Sequence, residues 1–141
     1  MPRSPLDDLP GWALDLLREA RVARLGLIDE DDRPRVLPVT FALAGGAVWS
    51  AVDHKRKREP GAELARVRFL RRRPEAALTA DRWDEDWPEL AWVQVLGRVE
   101  VLGDGGDGAD ALVAKYPQYR ERPPAGPFLR LEPARCLSWR G

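Results

Sequence analysis

One cysteine and one histidine are all that this 141-residue chain holds of the two side chains most used for metal binding and nucleophilic catalysis. Cys136 has no second cysteine to pair with, so an intrachain disulfide is excluded and a cysteine-based metal cluster cannot be built, which suits a reducing, cytoplasmic setting. In its apolar C-terminal stretch Cys136 reads as a small buried hydrophobe. His54 would have to anchor any Ser-His-Asp or Cys-His arrangement by itself, and GxSxG, P-loop and GxGxxG motifs are all missing. No apolar run approaches the roughly 20 residues of a membrane span. The opening MPRSPLDDLPGW lacks the apolar centre of a secretion signal. Charge of one sign is lacking too: 23 basic and 23 acidic side chains leave nothing to draw the chain to nucleic acid or an anionic membrane. The expectation is a cytoplasmic single domain over residues 1–141, with no membrane and no nucleic-acid partner.

What is present begins with a hairpin. Residues 34–58 read PRVLPVTFALAGGAVWSAVDHKRKR. Leu37, Val39, Phe41 and Leu43 alternate with Val36, Pro38 and Thr40, the period-2 pattern of a half-buried strand. Ala44-Gly45-Gly46 tolerates the positive φ of a tight turn. A second strand from Ala47 to Asp53 then delivers His54, Lys55, Arg56, Lys57 and Arg58 at its end.

The neutral total conceals a local imbalance. Between His54 and Arg73 nine cations face only Glu59 and Glu63, a local charge of +7 against −7 elsewhere. Such a run forms either a solvated helix face or an anion site, the latter favoured where a cleft lowers the dielectric. His54 among these cations is disfavoured from charging, and reads either as a neutral hydrogen-bond donor or as a plain loop residue. Lacking acid–base machinery of its own, an enzyme built on this chain would need a cofactor for its chemistry.

Around the hairpin, residues 8–20 carry apolar side chains at helical spacing, with Asp7 or Asp8 as caps and Pro10 in the first turn. Strands are expected at Val22 to Asp29, Glu75 to Arg82, Leu90 to Leu102 and Phe128 to Trp139. Gly97 marks a bulge or close backbone approach in the longest strand, and the last places Leu129, Leu131, Leu137 and Trp139 on one side. Short helices fit 62–72 and Ala109 to Tyr116, and the proline-bearing 117–127 wraps the surface. Six strands, mostly adjacent and antiparallel, define a mainly β (α+β) chain, a small closed or split barrel with peripheral helices.

Six tryptophans are many for this length, and Trp83 and Trp87 flank the acidic run Asp84-Glu85-Asp86. Rings in a polar loop form either an interface or ligand wall, or a cap on the barrel core. Carboxylates around them would repel the phosphates of a single-stranded nucleic acid.

Pro38-Val39-Thr40-Phe41, the Gly-Gly hairpin, Ser50 to Arg58, a basic helix ending Arg72-Arg73-Pro74, and Asp84-Glu85-Asp86-Trp87 occur in order. As a set, over residues 10–103, they resemble the pyridoxamine 5′-phosphate oxidase-like superfamily, most closely its coenzyme F420-dependent branch. The resemblance implies a six-stranded split β-barrel homodimer of the FMN-binding type, with a flavin or deazaflavin in each groove between subunits. It places Pro38, Val39, Thr40 and Phe41 along the ring system, with Ser50, Ala51 and Val52 flanking it. It matches Lys55 and Lys57 to the basic positions that hold the cofactor phosphate, with His54 in the same cofactor-binding segment and Arg56 or Arg58 available for the carboxylates of the F420 oligoglutamate tail. Trp83 and Trp87 lie near the groove, contributed by either subunit. One departure is Phe69-Leu70, where the family often has Asn-Leu or Asn-Ile. The implied activity is an F420-dependent oxidoreductase acting on a small organic molecule. An FMN oxidase or reductase and a non-catalytic cofactor-binding dimer are the alternatives.

Overall fold

The computed structural model describes residues 3–52 and 64–141. Seven antiparallel strands form one sheet: β1 (Ala23–Ile28), β2 (Pro34–Val39), β3 (Ala42–Ala44), β4 (Ala47–Ala51), β5 (Glu75–Arg82), β6 (Ala91–Leu102) and β7 (Phe128–Arg140). The helices are α1 (Gly11–Glu19), α2 (Ala65–Arg72), α3 (Gly106–Lys115) and α4 (Pro117–Glu121). In space the strands run β2-β1-β5-β6-β7-β4-β3.

That order closes the sheet. Its two outermost strands, β2 and β3, are consecutive in the chain, and only Thr40 and Phe41 lie between them. Three Cα–Cα steps of 3.8 Å reach at most about 11 Å, so both edges must curl together at this point. The barrel splits there. This is also where the sequence reading needs correction, because Pro34 to Leu43 is two strands and not one, giving seven strands in place of six. The alternation hides the break: Val39 and Phe41 are buried and Leu37 and Leu43 pack on the same interior, so the pattern passes through Thr40 without interruption.

Gly45 and Gly46 take φ of 59° and 74°, as the hairpin between β3 and β4 requires. At the other turn Asp29 accepts from the backbone N–H groups of Asp31 and Arg33. The Arg33 N–H is the main force holding the Asp29 carboxyl below its ordinary pKa; burial opposes it, and the Asp31 N–H and Arg35 add to it. Arg72 and Arg73, ending α2, both reach Asp32 Oδ1, at 3.0 and 2.9 Å. The turn and the helix are thereby tied together.

Helix α1 starts later than its periodicity predicts. Ser4 and Asp7 are engaged in a capping box on a 3₁₀ turn, Pro5–Asp8, which leaves Pro10 at the N-cap of α1. Ala13, Leu16 and Leu17 then enter the main core with Leu25, Phe41, Leu70, Leu78, Val93 and Val95.

Gly97 is the predicted bulge. The β6–β7 register shifts between Leu96 and Gly97, and a Cβ on Gly97 would lie 2.0 Å from the Glu132 carbonyl oxygen. The shift leaves Ala134 unpaired and reverses the facing of the distal end of β7. Leu129 and Leu131 are therefore buried, whereas Trp139 pairs with Trp92 and is exposed, contrary to the expectation of a shared side.

A second, smaller core explains why β4 is buried along its whole length. Ala42, Ala47, Trp49 and Ala51 pack with Leu112, Tyr116, Tyr119 and Phe128, so α3 and α4 cover the far side of β3 and β4. Gly108 permits this, since a Cβ there would fall 2.0 Å from the Trp49 ring.

Candidate functional site at the barrel split

The split opens into a cleft of about 150 Å³ lined by Val22, Pro38, Val39, Thr40, Ser50, Ala51 and Arg66. Two short segments distant in the chain are joined here. Ser50 Oγ donates to the Thr40 carbonyl at 2.6 Å, spanning from β4 to the junction of β2 and β3. On the other side of that junction, Phe41 N–H donates to Tyr116 Oη at 3.1 Å, and the Thr40 and Tyr119 hydroxyls lie 2.8 Å apart.

Five of the residues expected at the site, Pro38, Val39, Thr40, Ser50 and Ala51, converge on this cleft. Phe41 and Val52 are neighbours in sequence, but their side chains enter the main core. The Phe41 ring lies 3.8 Å beneath Lys115 Nζ, leaving only its backbone near the junction. His54, Lys55, Lys57 and Arg58 fall outside the described residues. Trp83 lines a different hollow of about 340 Å³ with Thr79, Asp81, Arg82, Leu90, Ala91, Trp92 and Trp139. Trp87 is 68% exposed.

Arg66, Val22, Tyr116 and Tyr119 were missing from the sequence reading of the site. Arg66 could have been found, because it belongs to the basic run and sits near the start of α2. The tyrosines gave no periodic signal, being 75 to 79 residues from their partners.

The chemistry of the cleft is simple. Pro38, Val39 and Ala51 offer an apolar wall, Thr40 and Ser50 two hydroxyls, and Arg66 a permanent cation. Among the described lining residues none is a carboxylate, imidazole, thiol or lysine, so none can act as general acid or base near neutral pH. A flat ring with polar edges and an anionic substituent fits this set. Cys136 does not contribute a nucleophile: burial, with a smaller effect of Asp8, pushes its thiol up to about 11.

The fold and cleft together define a split β-barrel opened at the β2–β3 junction. The pyridoxamine 5′-phosphate oxidase family matches residues 11–140, and the chain belongs to that family. No curated protein matches it significantly. A conserved hypothetical protein from Mycobacterium tuberculosis superposes with a TM-score of 0.74 at 17% identity, covering 94% of this chain and 85% of the other. A FAD-binding protein from Mesorhizobium loti gives 0.65 at 20% identity, over 92% and 94%. A heme-binding protein from Mycobacterium smegmatis gives 0.67 at 16% identity, over 99% and 59%. At these identities the likeness is one of fold. Among the described residues no helix is long and apolar enough to cross a membrane.

Proposed function

We propose that the protein is an oxidoreductase that binds coenzyme F420 in the split cleft and passes hydride between it and a small organic substrate. The observation that carries this reading is the convergence of Pro38, Val39, Thr40, Ser50, Ala51 and Arg66 at the seam, in a chain of the oxidase family. When bound, a reduced deazaflavin supplies hydride, and the protein supplies orientation and electrostatics. Pro38, Val39 and Ala51 would hold the ring plane, the Thr40 hydroxyl would meet its polar edge, and Arg66 would pair with an anionic substituent. The same contacts would accept FMN, and the FAD-binding neighbour is the observation that favours this second reading. A third, non-catalytic outcome is binding without turnover.

Self-association belongs to the proposal. A cleft of about 150 Å³ is smaller than the 300–1,000 Å³ of a typical ligand pocket, so one chain's described residues give only part of a ring-sized site. Trp83, Trp87, Trp92 and Trp139 are 67, 68, 37 and 46% exposed. Taking roughly 250 Å² per indole, they offer roughly 500 Å² of the ~800 Å² that each partner buries in a standard interface. A homodimer with the cofactor between subunits satisfies both observations. Sedimentation should show a dimer, and Trp92→Glu with Trp139→Glu should yield monomers; a monomeric wild type would refute the dimer.

Titration of cofactor-free protein with F420 and FMN in parallel, followed by tryptophan fluorescence, tests the cofactor. Tight F420 binding with weak FMN binding supports the first reading and the reverse supports the second. Binding of neither overturns both.

A further inference from the structure

The Thr40 hydroxyl lies at the boundary between the cleft and a buried tyrosine pair. Thr40 is half-buried and lines the cleft, while Tyr119, on α4, is buried in the second core and places its hydroxyl 2.8 Å from Thr40 Oγ1. Tyr116 meets Tyr119 edge to face, with ring centroids 5.6 Å apart, and holds the next peptide through the Phe41 N–H. Arg21 lies over the Tyr116 ring at 4.7 Å and donates to the Lys115 carbonyl at 2.9 Å, fastening this unit to the end of α1.

A phenol is a stronger acid than an aliphatic hydroxyl, hence the better donor of the two. With Tyr119 donating, the Thr40 proton is released from the interior and can be directed into the cleft. Ser50 already serves the Thr40 carbonyl, so the side chain is the group left to meet a ligand.

We infer that Tyr119 is a positioning residue for the cofactor: it orients the Thr40 hydroxyl as a hydrogen-bond donor to a carbonyl oxygen on the edge of the bound ring. This rests on the cofactor reading above and adds to it a residue of the α3–α4 segment, whose contribution to the site the sequence did not reveal. The two tyrosines act differently. Tyr116→Phe leaves the buried Phe41 N–H without its acceptor and acts on stability. Tyr119→Phe keeps the ring and its packing, and removes the hydroxyl that meets Thr40 Oγ1.

The test is a double-mutant cycle on cofactor binding. Wild type, Tyr119→Phe, Thr40→Val and the double variant are titrated with F420 and FMN, recording affinity and the absorption band of the bound chromophore. Tyr119→Phe should weaken binding about five- to tenfold and move the band, the scale of one hydrogen bond. Because it acts through Thr40, the double variant should be no weaker than Thr40→Val alone, whereas Thr40→Ser should bind like wild type. Additive losses, or a Tyr119→Phe protein with unchanged affinity and band, would overturn the inference while leaving the cofactor reading intact. A wild type that binds neither cofactor would overturn the reading and, with it, the positioning role.

Discussion

The hydroxyl of Ser50 donates a 2.6 Å hydrogen bond to the carbonyl oxygen of Thr40, joining β4 to the two-residue junction where the barrel opens. Ser50 is one of two buried polar residues in the described chain, the other being Asp29. Its position is therefore costly unless the bond is made. Ser50→Ala removes the donor from a part-buried carbonyl, and the expected loss is about 1–2 kcal/mol in urea unfolding. An unchanged midpoint and slope would show that the seam does not depend on this bond.

Among the described residues lining the cleft, Arg66 is the sole formal charge. If it pairs with an anionic substituent of the cofactor, Arg66→Ala weakens binding by about 1.5–3 kcal/mol, the range for hydrogen bonds to charged groups. Calorimetric titration at two salt concentrations measures this. The wild type should lose affinity with salt more steeply than the variant, and parallel salt dependences would remove Arg66 from the site.

Gly97 faces backbone, which cannot rotate aside as a side chain can. A Cβ 2.0 Å from the Glu132 oxygen forces β6 and β7 apart. Gly97→Ala should cost more than about 3 kcal/mol in chemical denaturation, which places it among the severe single substitutions. Gly103, with no neighbour within 4 Å of its Cβ position, is the control: Gly103→Ala should be nearly silent.

Lys115 is expected to make stability depend on alkaline pH. Burial, reinforced by Arg21, lowers its pKa from 10.5 to about 8, while the Phe41 and Tyr116 rings face the ammonium and the Leu17 carbonyl accepts from it at 3.4 Å. Between these values the unfolded chain binds more protons than the folded one, so folding stability rises with pH. Relative to Lys115→Met, the wild type should gain stability from pH 8 to about 9.5, a window below the ionisation of Tyr116, whose phenol burial raises above its ordinary value. Parallel stability curves for the two proteins would disprove the assignment.

How much of this was legible beforehand depends on the kind of signal each element carries. Strand β5 has the bounds expected of it, Glu75–Arg82, with Leu78 and Ala80 buried on one face. Gly97 betrayed its bulge because a glycine within a strand has few other reasons to be there. The split at Thr40 and Phe41 stayed hidden because Leu37, Val39, Phe41 and Leu43 keep one face on both sides of it. Trp139 was assigned to the wrong side because one unpaired residue, Ala134, inverts everything after it.

The sequence by itself determined most of the strands, the hairpin turn, the absence of an intrachain disulfide and, through an ordered set of motifs, the family. These rest on local periodicity, on backbone freedom at Gly45 and Gly46, and on composition, all of which act over a few residues. Tertiary structure alone decided that β2 and β3 sit at opposite ends of one curled sheet, and that Arg66 completes the cleft. It also decided that the chain's two tyrosines, Tyr116 and Tyr119, hold the junction from behind. Hydrogen bonds between groups 75 to 79 residues apart leave no periodic trace, because their partners are set by how the sheet closes and not by spacing along the chain.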